Sequence, residues 1–169
     1  FLLIVFCPMT FAQTIEPVKR MDVRALELHI EGDLLYVGGE HEVRIYNIST
    51  PADPTFVSSF PVQDGVTGIA VSGNLAVVST DARNEFTTNI SIVDISDISA
   101  PNILFERRAG NTGKVVNEVY AIGRNIYLAA DDQGIIVGEL IDTNEMVIVG
   151  ELPVTDVVTD FASVGNRLY

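Results

Sequence analysis

The sequence predicts an all-β fold, a β-propeller built from four-stranded antiparallel blades, on three observations. One phrase recurs four times along the chain: an apolar run, a glycine followed by a polar residue, and a second apolar run. Each complete unit holds about four strand-sized runs joined by short turns. Several of these runs are apolar on both faces, so neighbouring sheets must cover both sides. A repeat of this period is typical of propellers and related arrays.

The recurring phrase is clearest at Val66–Ser79, which reads as one strand, a tight Gly73-Asn74 turn and a second strand. Apolar and polar residues alternate within Ala25–Glu31, which is the period of a strand. The turn glycines lie 41, 50 and 42 residues apart, at Gly32, Gly73, Gly123 and Gly165. No run with helical spacing and capping residues interrupts this pattern.

Each unit predicts its own set of strands, with blades at about 25–62, 66–109, 116–153 and 157–169. The first unit predicts Ala25–Glu31, Leu34–Val37, Val43–Ile48 and Thr55–Phe60. The second predicts Val66–Ser72, Leu75–Ser79, Ile90–Ile95 and Asn102–Arg107. The third predicts Val116–Ile122, Asn125–Ala130, Ile135–Ile141 and Met146–Leu152. Polar additions around Asp81–Asn89 and Ala109–Lys114 are expected to be surface loops.

The apolar runs Ile90–Ile95 and Ile135–Val137 would not suit a sheet with one wet face. Sheets stacked around an axis bury both faces, whereas the alternative, a two-sheet sandwich, would alternate more cleanly. Because the chain holds three blades and the start of a fourth, we expect a fragment cut at both ends, with its closing blades missing.

The N-terminal stretch Phe1–Ala12 is predicted to be the remaining part of a secretory signal peptide, cleaved before Gln13. Residues 13–24 would then be a linker. The alternatives are a lipoprotein anchored at Cys7 or a buried first strand. A signal peptide predicts a secreted, periplasmic or cell-surface protein.

The chain is acidic, with 23 Asp and Glu against 10 Lys and Arg in 169 residues, a net charge of −13. Such a surface repels nucleic acid and anionic membranes, which bind excess positive charge. It favours cations or basic partners, unless the charge serves only solubility. At 47% hydrophobic residues, the composition is that of a folded chain.

The run Ile92-Val93-Asp94-Ile95-Ser96 with Pro101 resembles the LVIVD-repeat family of β-propellers. Its counterpart Ile45–Ser49, followed by two prolines, fits the same pattern, whereas the third unit lacks the aspartate and the prolines. The resemblance spans about 25–169 and implies a secreted or surface-attached bacterial or archaeal propeller. It supplies no common activity.

Two repeating sets of acidic residues are candidate binding positions. Five residues before each turn glycine stand Glu27, Gly68, Glu118 and Asp160. First strands of propeller blades line the axis, so three carboxylates would meet there and could hold Ca²⁺, unless they form a solvated or backbone-bonded ring. The loops between second and third strands carry the other set, which would form an acidic face or merely solubilise the loops: Glu40, Glu42, Asp81, Glu85, Asp131 and Asp132.

No motif for catalysis is present. His29 alternates within a strand and His41 lies between two glutamates; no metal-binding His or Cys spacing, GxSxG elbow or phosphate loop occurs. The sequence therefore predicts an exported, non-catalytic binding or scaffolding module that acts through its loop face on protein or carbohydrate. The alternatives are an extracellular hydrolase, lyase or cofactor-dependent dehydrogenase with catalytic residues in the missing blades, and a domain of a larger adhesin.

Overall fold

The computed structural model describes residues 19–82, 87–108, 116–131, 133–142, 145–164 and 167–169. Within these ranges the chain forms strands and no helix, which confirms the predicted all-β class. Accordingly, no helix of the described chain could span a membrane. The predicted signal peptide, half of the predicted linker, the predicted loop Ala109–Lys114, Glu85 and Asp132 lie outside the described residues.

The strands form three four-stranded antiparallel sheets and one two-stranded sheet, each in sequence order. Blade 1 comprises β1 (Glu27–Glu31), β2 (Leu34–Gly38), β3 (Glu42–Asn47) and β4 (Thr55–Pro61). Blade 2 comprises β5 (Gly65–Ser72), β6 (Leu75–Ala82), β7 (Thr87–Asp94) and β8 (Asn102–Arg108). Blade 3 comprises β9 (Glu118–Ile122), β10 (Asn125–Ala129), β11 (Ile135–Asp142) and β12 (Glu145–Leu152). The start of a fourth unit comprises β13 (Ser163–Val164) and β14 (Arg167–Leu168).

The expectation that Asp81–Asn89 is wholly a surface loop is wrong at both of its ends. Strands β6 and β7 continue through this segment, where Asp81 pairs with Thr88 and Ala82 with Thr87. β-Branched threonines favour the extended backbone, and Thr88 is fully buried. The additional residues of the second unit therefore lengthen the hairpin of β6 and β7 and do not only form a loop.

The turns between first and second strands depend on glycine. Gly32, Gly73 and Gly123 have φ of +57°, +61° and +59°, while the residues that follow them keep negative φ. Positive φ at the first central residue alone is the pattern of a type II′ turn, which matches the twist of a hairpin. The fourth predicted turn glycine, Gly165, lies outside the described residues.

The turns between third and fourth strands of blades 1 and 2 are closed by side chains. Asn47 Oδ1 accepts hydrogen bonds from the Ser49 N–H and hydroxyl, and Asp94 Oδ1 accepts one from Ser96 N–H. The hydrogen bonds that Asp94 accepts from the backbone and side chain of Ser96 lower the pKa of its carboxyl. The Asp/Asn-Ile-Ser part of the repeated motif is therefore a turn-forming element.

Both faces of blade 2 are buried, as predicted from its apolar runs. Val77, Ile90 and Ile92 pack in one cluster with side chains of blade 3. Alternate residues, including Val78 and Val93, pack in a second cluster with blade 1. First strands β1, β5 and β9 also contact one another in succession. The predicted propeller arrangement is confirmed, as an array that does not close into a ring.

Blades 2 and 3 are joined by hydroxyl groups at Val116, just before β9. Thr88 Oγ1 accepts a hydrogen bond of 2.9 Å from Val116 N–H, and Thr67 Oγ1 donates one of 2.7 Å to the Val116 carbonyl. Because the Thr67 proton is used there, Ser79 is the donor in the 2.9 Å contact between the Ser79 and Thr67 hydroxyls. Both backbone polar groups of Val116 are thereby satisfied outside any sheet.

Candidate functional site

The first strands bring the three predicted carboxylates to one cavity. Glu27, Glu118 and Asp160 come from blade 1, blade 3 and the start of the fourth unit, and they line a space of about 360 Å³. We name these three residues the axial carboxylates. Side chains of His29 and Tyr120 line the same cavity.

Each axial carboxylate makes the same local hydrogen bond. The N–H of the following residue donates to Glu27 Oε1 at 2.9 Å, to Glu118 Oε1 at 2.8 Å and to Asp160 Oδ1 at 2.6 Å. A carboxylate that accepts a backbone N–H is held in position and its charged form is favoured. The repeat therefore reproduces the side-chain geometry as well as the sequence spacing.

Blade 2 has Gly68 at the corresponding position for a steric reason. A Cβ on Gly68 would lie 2.7 Å from Val119 N and 2.8 Å from Glu118 Oε1. The carboxylate of blade 3 thus lies over the glycine of blade 2, and no side chain fits between them. Sequence spacing identified this position, but the contact across blades could not be read from it.

Burial raises the pKa of Glu118 to about 7. Its hydrogen bond from Val119 N–H lowers the value, and the charges of Glu27 and Asp160 raise it further. Burial also raises the pKa of Glu27, against its bond from Leu28 N–H and together with the charge of Asp160. The cavity therefore holds a carboxyl group that gains or loses its proton near neutral pH.

Removing this charge is expected to alter the pH dependence of stability. The folded pKa of Glu118 is raised above 4.5, so binding of its proton stabilises the folded state. This contribution to the free energy of unfolding is fully present below pH 4.5 and is lost as pH rises through about 7. Glu118→Gln keeps the acceptor for Val119 N–H and has no proton to lose. We expect the variant to be more stable than wild type at pH 8 by about 1 kcal/mol, after allowance for solvent screening, and equally stable at pH 4.

Urea unfolding at the two pH values measures this difference. An equal shift at both values would mean that the substitution acts through packing and not through the charge.

A calcium site at the axial carboxylates finds no support in the geometry. Across the described ranges, no group of three or more His, Cys, Asp and Glu side chains is close enough to hold a metal ion. The three carboxylates share a cavity, but each accepts a hydrogen bond from the N–H of the residue that follows it.

The loop end of blade 1 forms a second cavity, of about 490 Å³, lined by residues of the β2–β3 loop and the strands beside it. Glu40 lies 3.2 Å from Arg24, and Glu42 Oε1 accepts a 2.7 Å hydrogen bond from Arg44 Nε. We call these four residues the paired charges. The predicted acidic face is therefore electrically balanced at blade 1.

Arg24 and Arg44 were not predicted as site residues. Arg44 follows Glu42 by two positions on β3, and side chains two apart share one face of a strand. That spacing would have predicted this pair. Arg24 precedes β1 and comes close to Glu40 only through the fold.

Of the other predicted loop residues, the structure describes Asp131 and Asp81. Asp131 adopts φ +48°, and its carbonyl accepts a 3.2 Å hydrogen bond from Val158 N–H, so its backbone links blade 3 to the fourth unit. Asp81 lies in β6 and is half-buried. Glu85 and Asp132 lie outside the described residues.

The two histidines make different contacts, and His29 Nε2 is buried without a hydrogen-bond partner among the described residues. His29 packs edge-on against Tyr36 with ring centroids 6.1 Å apart, and burial lowers its pKa. His41 Nδ1 lies 3.2 Å from the Gln63 carbonyl. Among the described residues, neither ring is hydrogen-bonded to a hydroxyl or a carboxylate.

Comparison with known protein families gives a match for the first two blades. The LVIVD repeat model matches residues 24–62 and 65–107, which coincide with blades 1 and 2. The chain carries LVIVD repeats. The resemblance drawn from the Asp94 and Asn47 turns is confirmed, and the match ends before the third unit, whose turn lacks those prolines.

Comparison with solved structures supports the fold of this LVIVD-repeat chain. The crystal structure of the computationally designed Ika8 protein is similar, with a TM-score of 0.57 and 19% sequence identity. The alignment covers 83% of this chain and 40% of the designed protein, so the chain spans two fifths of its length. At this identity the likeness concerns the fold alone. The comparison with curated proteins found no match.

Proposed function

We propose that this LVIVD-repeat chain is an exported, non-catalytic module that binds a protein partner at the loop end of blade 1. The observation that carries the proposal is the cavity of about 490 Å³ that holds the paired charges. Loops on a rigid sheet scaffold are the usual place for recognition. The apolar stretch Phe1–Ala12 supports export. Mass spectrometry of the mature protein checks this, since cleavage would leave a chain that begins at Gln13.

A protein partner suits this cavity better than a carbohydrate. The paired charges offer two cations and two anions within one small area, which complements charged side chains of either sign on a polypeptide. Phe60 in the cavity wall is 2% exposed, so its ring is closed to stacking on a sugar.

The arrangement of polar groups supports binding rather than catalysis. A hydroxyl nucleophile requires a base within hydrogen-bond reach to take its proton. In the described ranges the histidines bond to a backbone carbonyl or lie against an aromatic ring. The arginines at the loop end point to the glutamates beside them.

Selection from a random peptide library displayed on phage tests this proposal. We expect enriched peptides to bind wild type and to lose about tenfold in affinity on Glu42→Gln/Arg44→Gln, because charged hydrogen bonds to a ligand contribute roughly 1.5–3 kcal/mol. The double variant removes both partners of a half-exposed pair, so folding should persist.

The matched control is Glu151→Gln, an exposed glutamate on β12 of blade 3. Its affinity should equal that of wild type. Peptides that bind wild type and the double variant equally would overturn the proposal, as would a selection that enriches no peptide.

A further inference from the structure

The start of the fourth unit is attached to blade 3 by hydrogen bonds and not by a buried core. We call residues 156–162 the docking segment, and none of its side chains is buried. Val158 N–H donates a 3.2 Å hydrogen bond to the Asp131 carbonyl, and the Val158 carbonyl accepts one of 2.9 Å from Asn117 Nδ2. A segment with exposed side chains and few hydrogen bonds opens at low cost, while the core of the domain stays folded.

Three carboxyl groups meet where the docking segment reaches the axial cavity. Asp160 of this segment lies there with Glu27 of β1 and Glu118 of β9. The other titratable side chains of the wall are His29, an imidazole whose pKa burial lowers, and the phenol of Tyr120. Strand β5 contributes only apolar residues, and none of the described residues of the wall is Lys or Arg. No positively charged side chain of this wall therefore offsets the three carboxylates.

The carboxyl groups of Glu118 and Asp160 are both held in place. Glu118 Oε1 accepts a 2.8 Å hydrogen bond from Val119 N–H, and Asp160 Oδ1 accepts one of 2.6 Å from Phe161 N–H. Either side chain would give up such a bond, one to a charged acceptor, if it rotated out of the cavity. Repulsion between the two carboxylates is therefore relieved most easily by movement of the docking segment itself.

Charge links Glu118 to the docking segment in both directions. Burial raises the pKa of Glu118 to about 7, and the charges of Glu27 and Asp160 add to the rise. Because coupling between two sites is reciprocal, an Asp160 that favours the protonated form of Glu118 is itself held more firmly when Glu118 is protonated. Protonation of Glu118 and attachment of the docking segment thus stabilise each other.

We propose that Glu118 makes attachment of the docking segment depend on pH, since its carboxylate repels Asp160 and its protonated form does not. The segment is held on blade 3 in acid and loosens as pH rises through about 7. Loosening opens the axial cavity on the side of the fourth unit. This inference is independent of the proposed function, because the cavity at the loop end of blade 1 shares no residue with the axial cavity.

Amide hydrogen exchange of the full chain, followed by NMR at about pH 6 and about pH 8 and corrected for the intrinsic rates, tests the inference. Protection of Val158 N–H should fall by about fivefold between the two values, which is the size of one repulsive pair near the surface. The N–H of Ile48, which donates to the Asp33 carbonyl at 2.8 Å in blade 1, should keep its protection. Sodium chloride at about 500 mM should reduce the change at Val158, because Asp160 is exposed.

Two variants remove the repulsion and keep the hydrogen-bond acceptors. Glu118→Gln and Asp160→Asn should each give Val158 N–H the same protection at both pH values. The matched control is Asp156→Asn, which lies on the same segment, accepts a 3.0 Å bond from Val157 N–H and does not line the cavity. It should change as wild type does.

A wild type in which Val158 is equally protected at both pH values would overturn the inference. So would a Glu118→Gln variant that keeps the fivefold change. Loss of the change in Asp156→Asn would also overturn it, since the charge of the whole segment and not the pair in the cavity would then be responsible.

Discussion

Replacing Ile92 with alanine is expected to lower the free energy of unfolding by about 3–4 kcal/mol. Ile92 lies at the centre of β7, is fully buried, and packs in the cluster between blades 2 and 3. The substitution removes three carbon atoms from a site enclosed by two sheets, which can collapse only in part. Its neighbour Val93 faces the other cluster, so both interfaces depend on this strand.

Denaturant unfolding of Ile92→Ala measures the loss, with Ile148→Ala as its control. Ile148 is 47% exposed on β12, and its truncation should cost less than about 1 kcal/mol. A loss below about 1 kcal/mol for Ile92→Ala would contradict burial of blade 2 on both faces.

Adding one methyl group at Gly68 is expected to destabilise the chain by about 2–3 kcal/mol. The new Cβ would lie 2.7 Å from Val119 N, a backbone atom, and 2.8 Å from Glu118 Oε1. The side chain of Glu118 could rotate away, but it would then give up its bond from Val119 N–H. The backbone of β9 would still have to move away from β5.

Gly150→Ala is the matched control for Gly68→Ala, because both glycines lie in strands and neither has positive φ. The nearest atom to a Cβ at position 150 is Val137 Cβ at 4.0 Å, an ordinary contact. Alanine there should be neutral or stabilising by about 0.5 kcal/mol, since it restricts the unfolded chain. Equal thermal midpoints for the two variants would refute the proposed contact between blades 2 and 3.

Much of the fold could be predicted because its signals are local. A glycine with positive φ between two apolar runs specifies a hairpin wherever it occurs, and Gly32, Gly73 and Gly123 each form one. Two-sided apolar runs likewise specify buried sheets. The third unit shows how far this extends: without the prolines, β11 and β12 still pair, with register shifts at Val137/Gly138 and Leu140/Asp142.

The candidate sites were only partly predictable because they depend on contacts between units. Equal spacing from each turn glycine was enough to predict that the axial carboxylates would share one region. Spacing carried no information on burial, which moves the pKa of Glu118 to about 7. The approach of Arg24 to Glu40 spans sixteen positions and depends on the path of the chain before β1.

The glycine beneath Glu118 limits how this repeat can have evolved. A gene duplication that copied the third unit onto the second would place a glutamate at position 68, where the next blade leaves no room for a side chain. Two side chains at this position are therefore excluded at the junction of blades 2 and 3, whereas Glu118 and Asp160 both occupy it in the two units that follow. Divergence of position 68 is a condition for packing blade 3 against blade 2.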